Sequence, residues 1–547
     1  MRIASKVSGG SILPPGRIPA RGQDGGGQAP PGRDLRTRLY PAAVSSPRLG
    51  TPVVALFVSA SALLAPATAG AKVTLHTTPA ITPRFGLSVP DYVSRCQPTQ
   101  PLRFTVDASK GDTVAIGGGP KRTGRFTTDV YLRTNAAVPV RVTTNGREST
   151  HHVRCLPHDF PEWTVHRHRR PEAQWYVLTP VGRYSDGYIA IFDVRGVPVW
   201  WMHSSWYAPW DGKLLADGNL IWSRIFGTDF GLDPRGAWEE HALDGRAVRV
   251  LQTRRTPTDF HDLEQMPNGD FLLDSYVRRS KVDLTRFGGP RYANVYDAEI
   301  QELTPQGKRV WSWNSKNRIG LSENTWWKDI ESAQDRRPPA ERSYDTVHIN
   351  SMEPDGDGII VSARFLDAVF RIDLKTKRIT WKLGGTRRPE SLTVKKDPLG
   401  SRPFGGQHDA RLYGDHTLTV YDNGAAPSQH EVRPPRAVRY RIDTANHTAT
   451  LLESLSDPAV PRSGWGGGAR KLAGGDWVVY WGGTNRMTER TPANKGVLEI
   501  KFRGDRFGYR AFPIPRGRIS ARQLRRAMDA VVSTNREDVP RSVGDGR

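Results

Sequence analysis

The sequence has little cysteine, few helical patterns and a shortage of negative charge. Its two cysteines, among 547 residues, allow at most one intramolecular disulfide bond. Few segments have the apolar spacing of an amphipathic helix, whereas Trp and Gly are frequent, at 16 and 54 residues. This combination favours an all-β architecture with many tight turns. The length is sufficient for two or three domains.

Acidic residues are outnumbered by basic ones, 56 to 79, so the formal net charge is +23. Such a balance favours anionic partners, which include nucleic acid, acidic lipid and small anionic substrates. A high pI is also common among exported proteins of basic proteomes. No nucleic-acid-binding module is recognisable, and the basic residues are scattered through predicted strands. We therefore expect no nucleic-acid partner.

One long apolar run stands out, at residues 52–71 (PVVALFVSASALLAPATAGA). Its length and the small residues at its end are typical of a signal-peptide core followed by a cleavage site. For a permanent membrane span the run is short and rich in Ser and Ala. We predict an exported protein, secreted or in the cell envelope, with membrane attachment only if this segment stays uncleaved.

Residues 1–51 are rich in Gly, Pro and Arg and have no hydrophobic period, so we predict a disordered leader. A signal segment normally starts at the N-terminus of a protein. Two interpretations are therefore open: a start site assigned too early, or a disordered leader on an anchored protein.

Short alternating strands punctuated by Gly, Asn and Pro predict a small β-sandwich over residues 72–160. Cys96 and Cys155 both lie in this segment, and in an exported chain the pair predicts a disulfide bond. Two unpaired buried thiols are the alternative. The bond would stabilise the fold by about 4 kcal/mol in the chain-entropy model. Residues 161–171, basic and proline-containing, are predicted to be a linker.

A repeating unit of about fifty residues fills residues 172–515, with an inner strand and a two-stranded hairpin in each unit. Six hairpins are recognisable against five inner strands, and residues 175–178 supply the missing inner strand. We predict a six-bladed β-propeller, with seven blades as the near alternative. Residues 516–547 are predicted to be a basic tail with a short helix, packed on the propeller, over residues 520–532.

Three histidines occupy the same position in successive units. His261, His348 and His408 each come shortly before a Gly-containing turn and an apolar strand. Equivalent positions of a repeat fold lie on a ring, so we expect these side chains to converge. Arg364, at the end of an otherwise apolar strand, is costly to bury unless it faces the same pocket or a carboxylate.

Three functions fit a pocket of three imidazoles and a guanidinium. Histidine is the commonest metal ligand, although the cationic Arg364 argues against a metal site. A non-catalytic binding propeller is the second possibility. The third is the transfer of an anionic group, with one histidine as nucleophile.

Asp262 and Asp409 directly follow His261 and His408 in the sequence. Because neighbouring side chains of an extended chain point in opposite directions, we expect them to be turn or supporting groups.

The motifs DTVHINS, DGIIVSAR, QHDARL and VYDNG, in this order and spacing, resemble the arylsulfotransferase family. Its members are exported bacterial six-bladed propellers that move a sulfuryl group between phenols. The resemblance implies a covalent sulfohistidine intermediate and no nucleotide sulfate donor, and we expect neither a cofactor nor a metal. By motif, His408 matches the nucleophile. His348, Arg364 and His261 match the groups around the sulfuryl and phenolic oxygens, and Asn350 of the HINS motif is predicted to bind substrate.

Two departures from the family limit what the resemblance implies. Well-known Gram-negative members have a cysteine pair near the nucleophile loop, and this chain has no cysteine after Cys155. A redox requirement therefore does not transfer. The N-terminal segment is only generally similar, so neither dimerisation nor the substrate range is implied. We expect an aryl sulfate and a phenol as small-molecule partners, and the oligomeric state stays open.

The insertion at residues 315–343 is long for a loop and contains Trp326 and Trp327. We predict that these two side chains bind substrate by stacking on an aryl ring. Packing between blades is the alternative. Trp206 and Trp210 are further candidates for the same role.

Overall fold

The computed structural model describes residues 73–183, 186–227, 231–327, 343–425 and 432–534. The predicted leader (1–51) and signal segment (52–71) lie outside the described residues. The described part of the chain is built mainly from strands, which confirms the all-β class.

Two sheets form the N-terminal domain, and a further strand follows them. The strands are β1 (Val73–Thr78), β2 (Ile81–Thr82), β3 (Asp91–Ser94), β4 (Leu102–Ala108), β5 (Thr113–Ile116), β6 (Gly124–Val130), β7 (Ala137–Thr144), β8 (Arg147–Cys155) and β9 (Trp163–Arg167). One sheet has the order β1-β4-β6 and the other β2-β3-β8-β7-β5. In β4, buried residues alternate with exposed or half-buried ones, as expected for a strand with one face on a core.

The two sheets share one apolar core that contains Cys96 and Cys155. These residues form a disulfide bond with their Cα atoms 5.5 Å apart. The predicted disulfide-linked β-sandwich is therefore confirmed.

In the described part of the chain, six further sheets follow. The first has β10 (Trp175–Leu178), β11 (Val181–Arg183), β12 (Asp186–Asp193) and β13 (Pro198–Ser204); the second has β14 (Ala208–Leu214), β15 (Leu220–Ile225), β16 (Ala237–His241) and β17 (Ala247–Leu251); the third has β18 (Thr258–Gln265), β19 (Phe271–Val282), β20 (Ala293–Leu303), β21 (Arg309–Asn314) and β22 (Ser343–Asp345). The fourth has β23 (Ile349–Asp355), β24 (Gly358–Ala363), β25 (Ala368–Asp373) and β26 (Ile379–Gly384); the fifth has β27 (Thr393–Lys395), β28 (His408–Tyr413), β29 (Thr417–Asp422), β30 (Arg436–Asp443) and β31 (Thr448–Leu455); the sixth has β32 (Gly468–Lys471), β33 (Trp477–Trp481), β34 (Arg486–Arg490) and β35 (Gly496–Phe502). The chain continues with β36 (Ala511–Ile514) and the helix α1 (Ala521–Thr534).

The innermost strands of these sheets form a ring. β36 contacts β14, and contacts follow between β14 and β18, β18 and β23, β23 and β28, and β28 and β32. β33, the second strand of the sixth sheet, contacts β36 and completes the circle. This is the arrangement of a propeller, whereas the number of blades stays a prediction. The sheets are covered on both faces, so strands such as β24 are buried along their whole length.

Strands from both ends of the propeller sequence close the ring. β36 pairs antiparallel with β10 and becomes the innermost strand of the first sheet. β9 pairs antiparallel with β35 and becomes the outermost strand of the sixth sheet, with Trp163 opposite Phe502. Residues 163–167 were expected in a linker. They form a strand that pairs with β35, and Trp163 and Val165 pack against the core that contains Phe502.

The C-terminal helix packs on β13, as the sequence predicts, and its Leu524 and Met528 join the largest apolar core. Arg525 pairs with Asp91 at 2.7 Å, so the helix also holds the sandwich domain. No helix in the described part of the chain has both the length and the apolar character needed to cross a membrane.

Candidate functional site

Three consecutive sheets bring the predicted histidines together. His261 lies in β18, His348 directly before β23, and His408 begins β28. The rings of His261 and His348 meet edge to face with centroids 4.7 Å apart. The ring of Tyr509 lies 5.9 Å from that of His261 and 6.2 Å from that of His408. All three histidines are buried, so the equivalent repeat positions do converge on one place.

A break in strand pairing accompanies each histidine. A β-bulge bends a strand and re-aims its side chains, and such breaks are frequent beside functional sites. The register shifts fall between Thr258 and Leu263, between Ile349 and Ser351, and between His408 and Arg411.

His348 has an unusual backbone that Asp345 supports. Its φ is +56°, in the left-handed region that non-glycine residues adopt at a cost. Asp345 Oδ1 accepts the His348 backbone N–H at 3.0 Å, and Asp345 Oδ2 lies 2.7 Å from the ring Nδ1. One carboxylate thus fixes both the backbone and the ring of this histidine.

His261 has the same kind of partner. Its Nδ1 lies 2.7 Å from Asp259 Oδ1, which also accepts the backbone N–H of Phe260. A carboxylate at Nδ1 holds the proton on that nitrogen and leaves Nε2 for the site. His261–Asp259 and His348–Asp345 are therefore two imidazole–carboxylate dyads, side by side.

His408 differs because no carboxylate contacts its ring among the described residues. Its Nδ1 lies 2.8 Å from Asn423 Oδ1 and 3.0 Å from the carbonyl oxygen of Gly406. Its Nε2 accepts the backbone N–H of Gly466 at 3.2 Å. The sequence repeat made the three histidines equivalent, and their partners make them chemically distinct.

Burial lowers the pKa of two of the histidines, His408 and His348. Burial, with Arg364 nearby, holds the pKa of His408 well below its usual range. Burial, followed by His261 and Arg364, does the same to the pKa of His348. Burial raises the pKa of Asp345 to about 7. A neutral imidazole at His408 is consequently the expected form at neutral pH, and a neutral imidazole has the lone pair needed for attack.

Arg364 lies beside the histidines at the end of the apolar strand β24, where its backbone N–H donates to the carbonyl of His348 at 2.8 Å. It begins a short 3-10 helix, Arg364–Leu366, directly after β24. Its Nη2 donates to the carbonyl of Gly464 at 2.7 Å, and Nη1 donates to that of Gly406 at 3.4 Å. Burial lowers the pKa of Arg364 to about 10, so the guanidinium stays charged at neutral pH.

The two tryptophans of the insertion have different environments. Trp326 is buried with Arg364 Cζ 4.9 Å above its ring, and its Nε1 donates to Asp367 Oδ1 at 3.1 Å. Trp327 instead stacks on Phe287 at 4.9 Å. The structure therefore brings Trp326 to the site and packs Trp327 elsewhere. Residues 328–342 of the insertion lie outside the described part.

Trp206 and Trp210 also have different environments. Trp206 is 57% exposed and lies against Tyr207. Trp210 is buried and stacks on Tyr509, with ring centroids 5.2 Å apart, and on Trp465 at 6.1 Å. Trp210 thus supports the ring that contacts two of the histidines.

Asn350 is fully buried between two of the sheets. Its Nδ2 donates to the carbonyl of Gln407 at 2.7 Å, which holds the residue before His408. Its Oδ1 has no hydrogen-bond partner among the described residues. The backbone carbonyl of Asn350 accepts the hydroxyl of Tyr509 at 3.4 Å.

Asp262 and Asp409 point away from the imidazoles, into a buried cluster of charges. Asp262 pairs with Lys213, with Arg411 at 3.1 Å and with Arg510 at 3.2 Å. Asp409 pairs with Arg411 at 2.8 Å. This cluster joins several innermost strands beneath the site. In the described part of the chain, no group of three His, Cys, Asp or Glu side chains is arranged to hold a metal ion.

Sequence reasoning missed four groups of the site. The acidic partners Asp259 and Asp345 stand two and three residues before their histidines, a spacing that could have been noticed. Asn423 was assigned to a turn in the motif VYDNG. Tyr509 follows the last hairpin, about a hundred residues after His408, and no local pattern marks it.

The sequence model of the family described as Arylsulfotransferase (ASST) matches residues 166–508. No protein with a curated description matches the chain. Solved structures with similar folds include the β-propeller domain of Myceliophteria thermophila Cps50 (Swd1), at 11% identity over 62% of this chain and 89% of that one, with a TM-score of 0.34. Virginiamycin B lyase from Staphylococcus aureus is 13% identical over 62% and 88%, with a TM-score of 0.30. The Pseudomonas aeruginosa periplasmic gluconolactonase is 14% identical over 62% and 100%, with a TM-score of 0.33.

Proposed function

Since the chain belongs to the arylsulfotransferase family, we propose that it moves a sulfuryl group from an aryl sulfate to a phenol. Membership supports arylsulfotransferase activity in general. The donor and acceptor classes and the covalent intermediate are our proposal. It involves no nucleotide sulfate donor and no cofactor.

The observation that carries the proposal is the difference between His408 and its two neighbours. His408 has an amide and a carbonyl at Nδ1, whereas His261 and His348 have carboxylates. The carboxylates orient these two imidazoles through Nδ1 and leave Nε2 to exchange a proton with the phenolic oxygen, which suits a general acid and base. An amide leaves the ring neutral, which suits a nucleophile.

In the first half-reaction, Nε2 of His408 attacks the sulfur of the aryl sulfate. The N–S bond forms, the S–O bond to the aryl group breaks, and the leaving phenolate takes a proton from the His261 and His348 pair. Charge spreads over the three remaining sulfuryl oxygens, as in phosphoryl transfer. The Arg364 guanidinium faces them with a fixed fork of donors.

In the second half-reaction, an acceptor phenol gives its proton to the same pair and its oxygen attacks the sulfur. The N–S bond breaks and His408 returns to the neutral form. The two half-reactions together leave the enzyme unchanged, so the kinetics should be ping-pong.

The test is a chromogenic aryl sulfate supplied with and without a phenol. Donor alone should release one phenol per active site, and mass spectrometry of the quenched protein should map a sulfuryl group to His408. His408→Ala should abolish the burst and turnover, whereas His166→Ala, on the exposed edge of β9, should keep both. Sulfation of another residue, or turnover by a folded His408→Ala, would remove the assignment.

The same assay separates the other interpretations. A chelator should change nothing; loss of activity that added metal restores would favour a metal-dependent enzyme. Binding of both compounds without any product would favour a non-catalytic propeller.

We also propose that the protein is exported. The Cys96–Cys155 bond is typical of an oxidising compartment. Fractionation of cells that express the full chain should recover it outside the cytoplasm. Recovery in the cytoplasm with two free thiols would contradict this proposal.

A further inference from the structure

The side-chain amide of Asn423 has a fixed orientation. Asn423 is fully buried, and its Nδ2 donates to Ser463 Oγ at 3.0 Å and to the carbonyl of Gly466 at 3.0 Å. The Ser463 hydroxyl donates to the carbonyl of Gly482 at 2.8 Å, so its oxygen accepts from the amide. A carbonyl can only accept. Both neighbours therefore require the NH2 end of Asn423, and its Oδ1 must face His408.

Tyr421 supports the same arrangement. Its hydroxyl accepts the backbone N–H of Gly482 at 3.0 Å and donates to Ser463 Oγ at 2.9 Å. The Ser463 hydroxyl oxygen thus accepts hydrogen bonds from Tyr421 and from Asn423 Nδ2. Its one proton is donated to the carbonyl of Gly482. A flipped amide at Asn423 would place its oxygen against the Gly466 carbonyl and leave two buried acceptors without donors.

The orientation of Asn423 decides the tautomer of His408. Its Oδ1 lies 2.8 Å from Nδ1, and the Gly406 carbonyl lies 3.0 Å from the same nitrogen. Two acceptors at Nδ1 require a proton there. The Gly466 N–H, 3.2 Å from Nε2, requires a lone pair on the other nitrogen. We propose that Asn423 is a positioning residue that keeps the proton of His408 on Nδ1 and the lone pair on Nε2, where the sulfuryl donor takes the place of the Gly466 N–H.

This inference rests on the proposed function for its catalytic consequence, and on the hydrogen bonds alone for the tautomer. The charged and titratable groups that face His408 are Arg364, Arg510, His261 and Tyr509. The cations among them disfavour a second proton on the ring. In these surroundings, an amide at Nδ1 selects one neutral tautomer, whereas a carboxylate would attract the second proton.

The experiment compares wild type with Asn423→Leu and Asn423→Asp, using Asn446→Asp on an exposed turn of the same sheet as control. Imidazole 15N resonances of histidine-labelled, ligand-free protein report which ring nitrogen carries the proton, and His408→Ala identifies the His408 signals. Wild type and Asn446→Asp should have His408 protonated on Nδ1 alone. In Asn423→Leu the Gly406 carbonyl at Nδ1 and the Gly466 N–H at Nε2 remain but the shortest contact at Nδ1 is lost, so we expect a mixture of tautomers that still contains the Nδ1-protonated form.

The kinetic constants of the variants should change in parallel with the tautomer populations seen in the spectra. A catalytic histidine held in the wrong tautomer can lose about ten-thousand-fold in kcat. In Asn423→Leu, kcat should therefore fall in proportion to the lost fraction of the Nδ1-protonated form, with KM for the donor little changed. In Asn423→Asp, the ring should bind a second proton, and the acid limb of the burst rate should move to higher pH.

Each outcome is decisive. A folded Asn423→Leu whose His408 stays wholly protonated on Nδ1 would show that Gly406 is sufficient and would overturn the inference. If that variant does not fold, an Asn423→Asp with unchanged 15N spectra and pH profile would overturn it equally. A tautomer change without any effect on the burst would support the positioning role and contradict the proposed nucleophile instead.

Discussion

The rings of His261 and His348 lie edge to face, with centroids 4.7 Å apart, and each ring has its Nδ1 on a buried carboxylate. Two imidazolium ions this close would repel each other in a buried site. In the proposed reaction, this pair exchanges one proton with the phenolic oxygen in each half-reaction.

The first prediction concerns the Asp345–His348 dyad. Because burial raises the pKa of Asp345 to about 7, the carboxylate holds a proton below that pH and releases it above. The ionised carboxylate makes His348 the better base, so single-turnover transfer from the sulfated enzyme to a phenol should rise with pH through about 7. Asp345→Asn should slow that step roughly a hundredfold and remove the inflection.

Rapid-quench measurement of the acceptor step over a pH series checks this prediction. Asp505→Asn, on an exposed turn, is the control and should retain the wild-type profile. An unchanged inflection in Asp345→Asn would assign the titration to another group.

The second prediction concerns Asp274 in β19. It is fully buried and lies beside the carboxylate of Asp259. Burial, followed by Asp259 and Asp262, raises the pKa of Asp274 well above its usual range. The folded state therefore binds more protons than the unfolded state above the unfolded pKa, and this contribution to stability falls as pH rises toward the folded pKa.

Asp274→Asn removes this pH-dependent contribution to the free energy of unfolding. Its free energy of unfolding should fall less than that of wild type as the pH is raised from acid to neutral, as measured by urea unfolding at several pH values. Parallel curves for the two proteins would show that Asp274 is ionised in the folded state.

The third prediction separates the two tryptophans of the insertion. Trp326→Leu removes the ring beneath the Arg364 guanidinium, an interaction of about 2 kcal/mol when desolvated, so the donor burst should slow by roughly tenfold or more. Trp327→Leu removes the stack on Phe287 and should cost up to about 3 kcal/mol of stability with little effect on the burst.

Stopped-flow burst rates and denaturant unfolding of both variants test this difference. Equal kinetic effects would mean that Trp327 also acts on the substrate, as the sequence alone suggested.

The fourth prediction concerns Cys96 and Cys155. Reduction of the full chain should lower the stability of the N-terminal sandwich, by up to about 4 kcal/mol, because the bond closes a long loop in the unfolded state. The histidine group lies in a different core, so the burst of reduced protein under native conditions should persist. Loss of the burst on reduction, while circular dichroism stays native, would connect the disulfide to the site.

Sequence reasoning found what the repeats determine. The phase of His261, His348 and His408 predicted their convergence, because each unit places its first strand on the same ring. The same logic could not find Tyr509 or Asn423. Tyr509 reaches the site only through the closing strand of the ring, and Asn423 looks like an ordinary turn residue until its buried partners are known.

Local context accounts for what the sequence did not predict. Arg364 begins a 3-10 helix where the chain reverses from β24 into β25 of the same sheet, and its guanidinium lies over the Trp326 ring. Trp327, next to Trp326 in sequence, points to Phe287 instead. Residues 163–167 pair with β35, a strand more than three hundred residues later, and no linker composition reveals such a partner.

The two closures of the ring determine when the site can exist during synthesis. Sheets two to five each come from one continuous stretch and can pair as that stretch emerges, whereas the first and sixth sheets wait for strands near the end of the chain. Tyr509 lies two residues before β36, the last of these strands, and meets His261 and His408 only when the circle is complete. A nascent or truncated chain therefore has its histidines but no finished pocket, and cannot acquire activity before its final strand is in place.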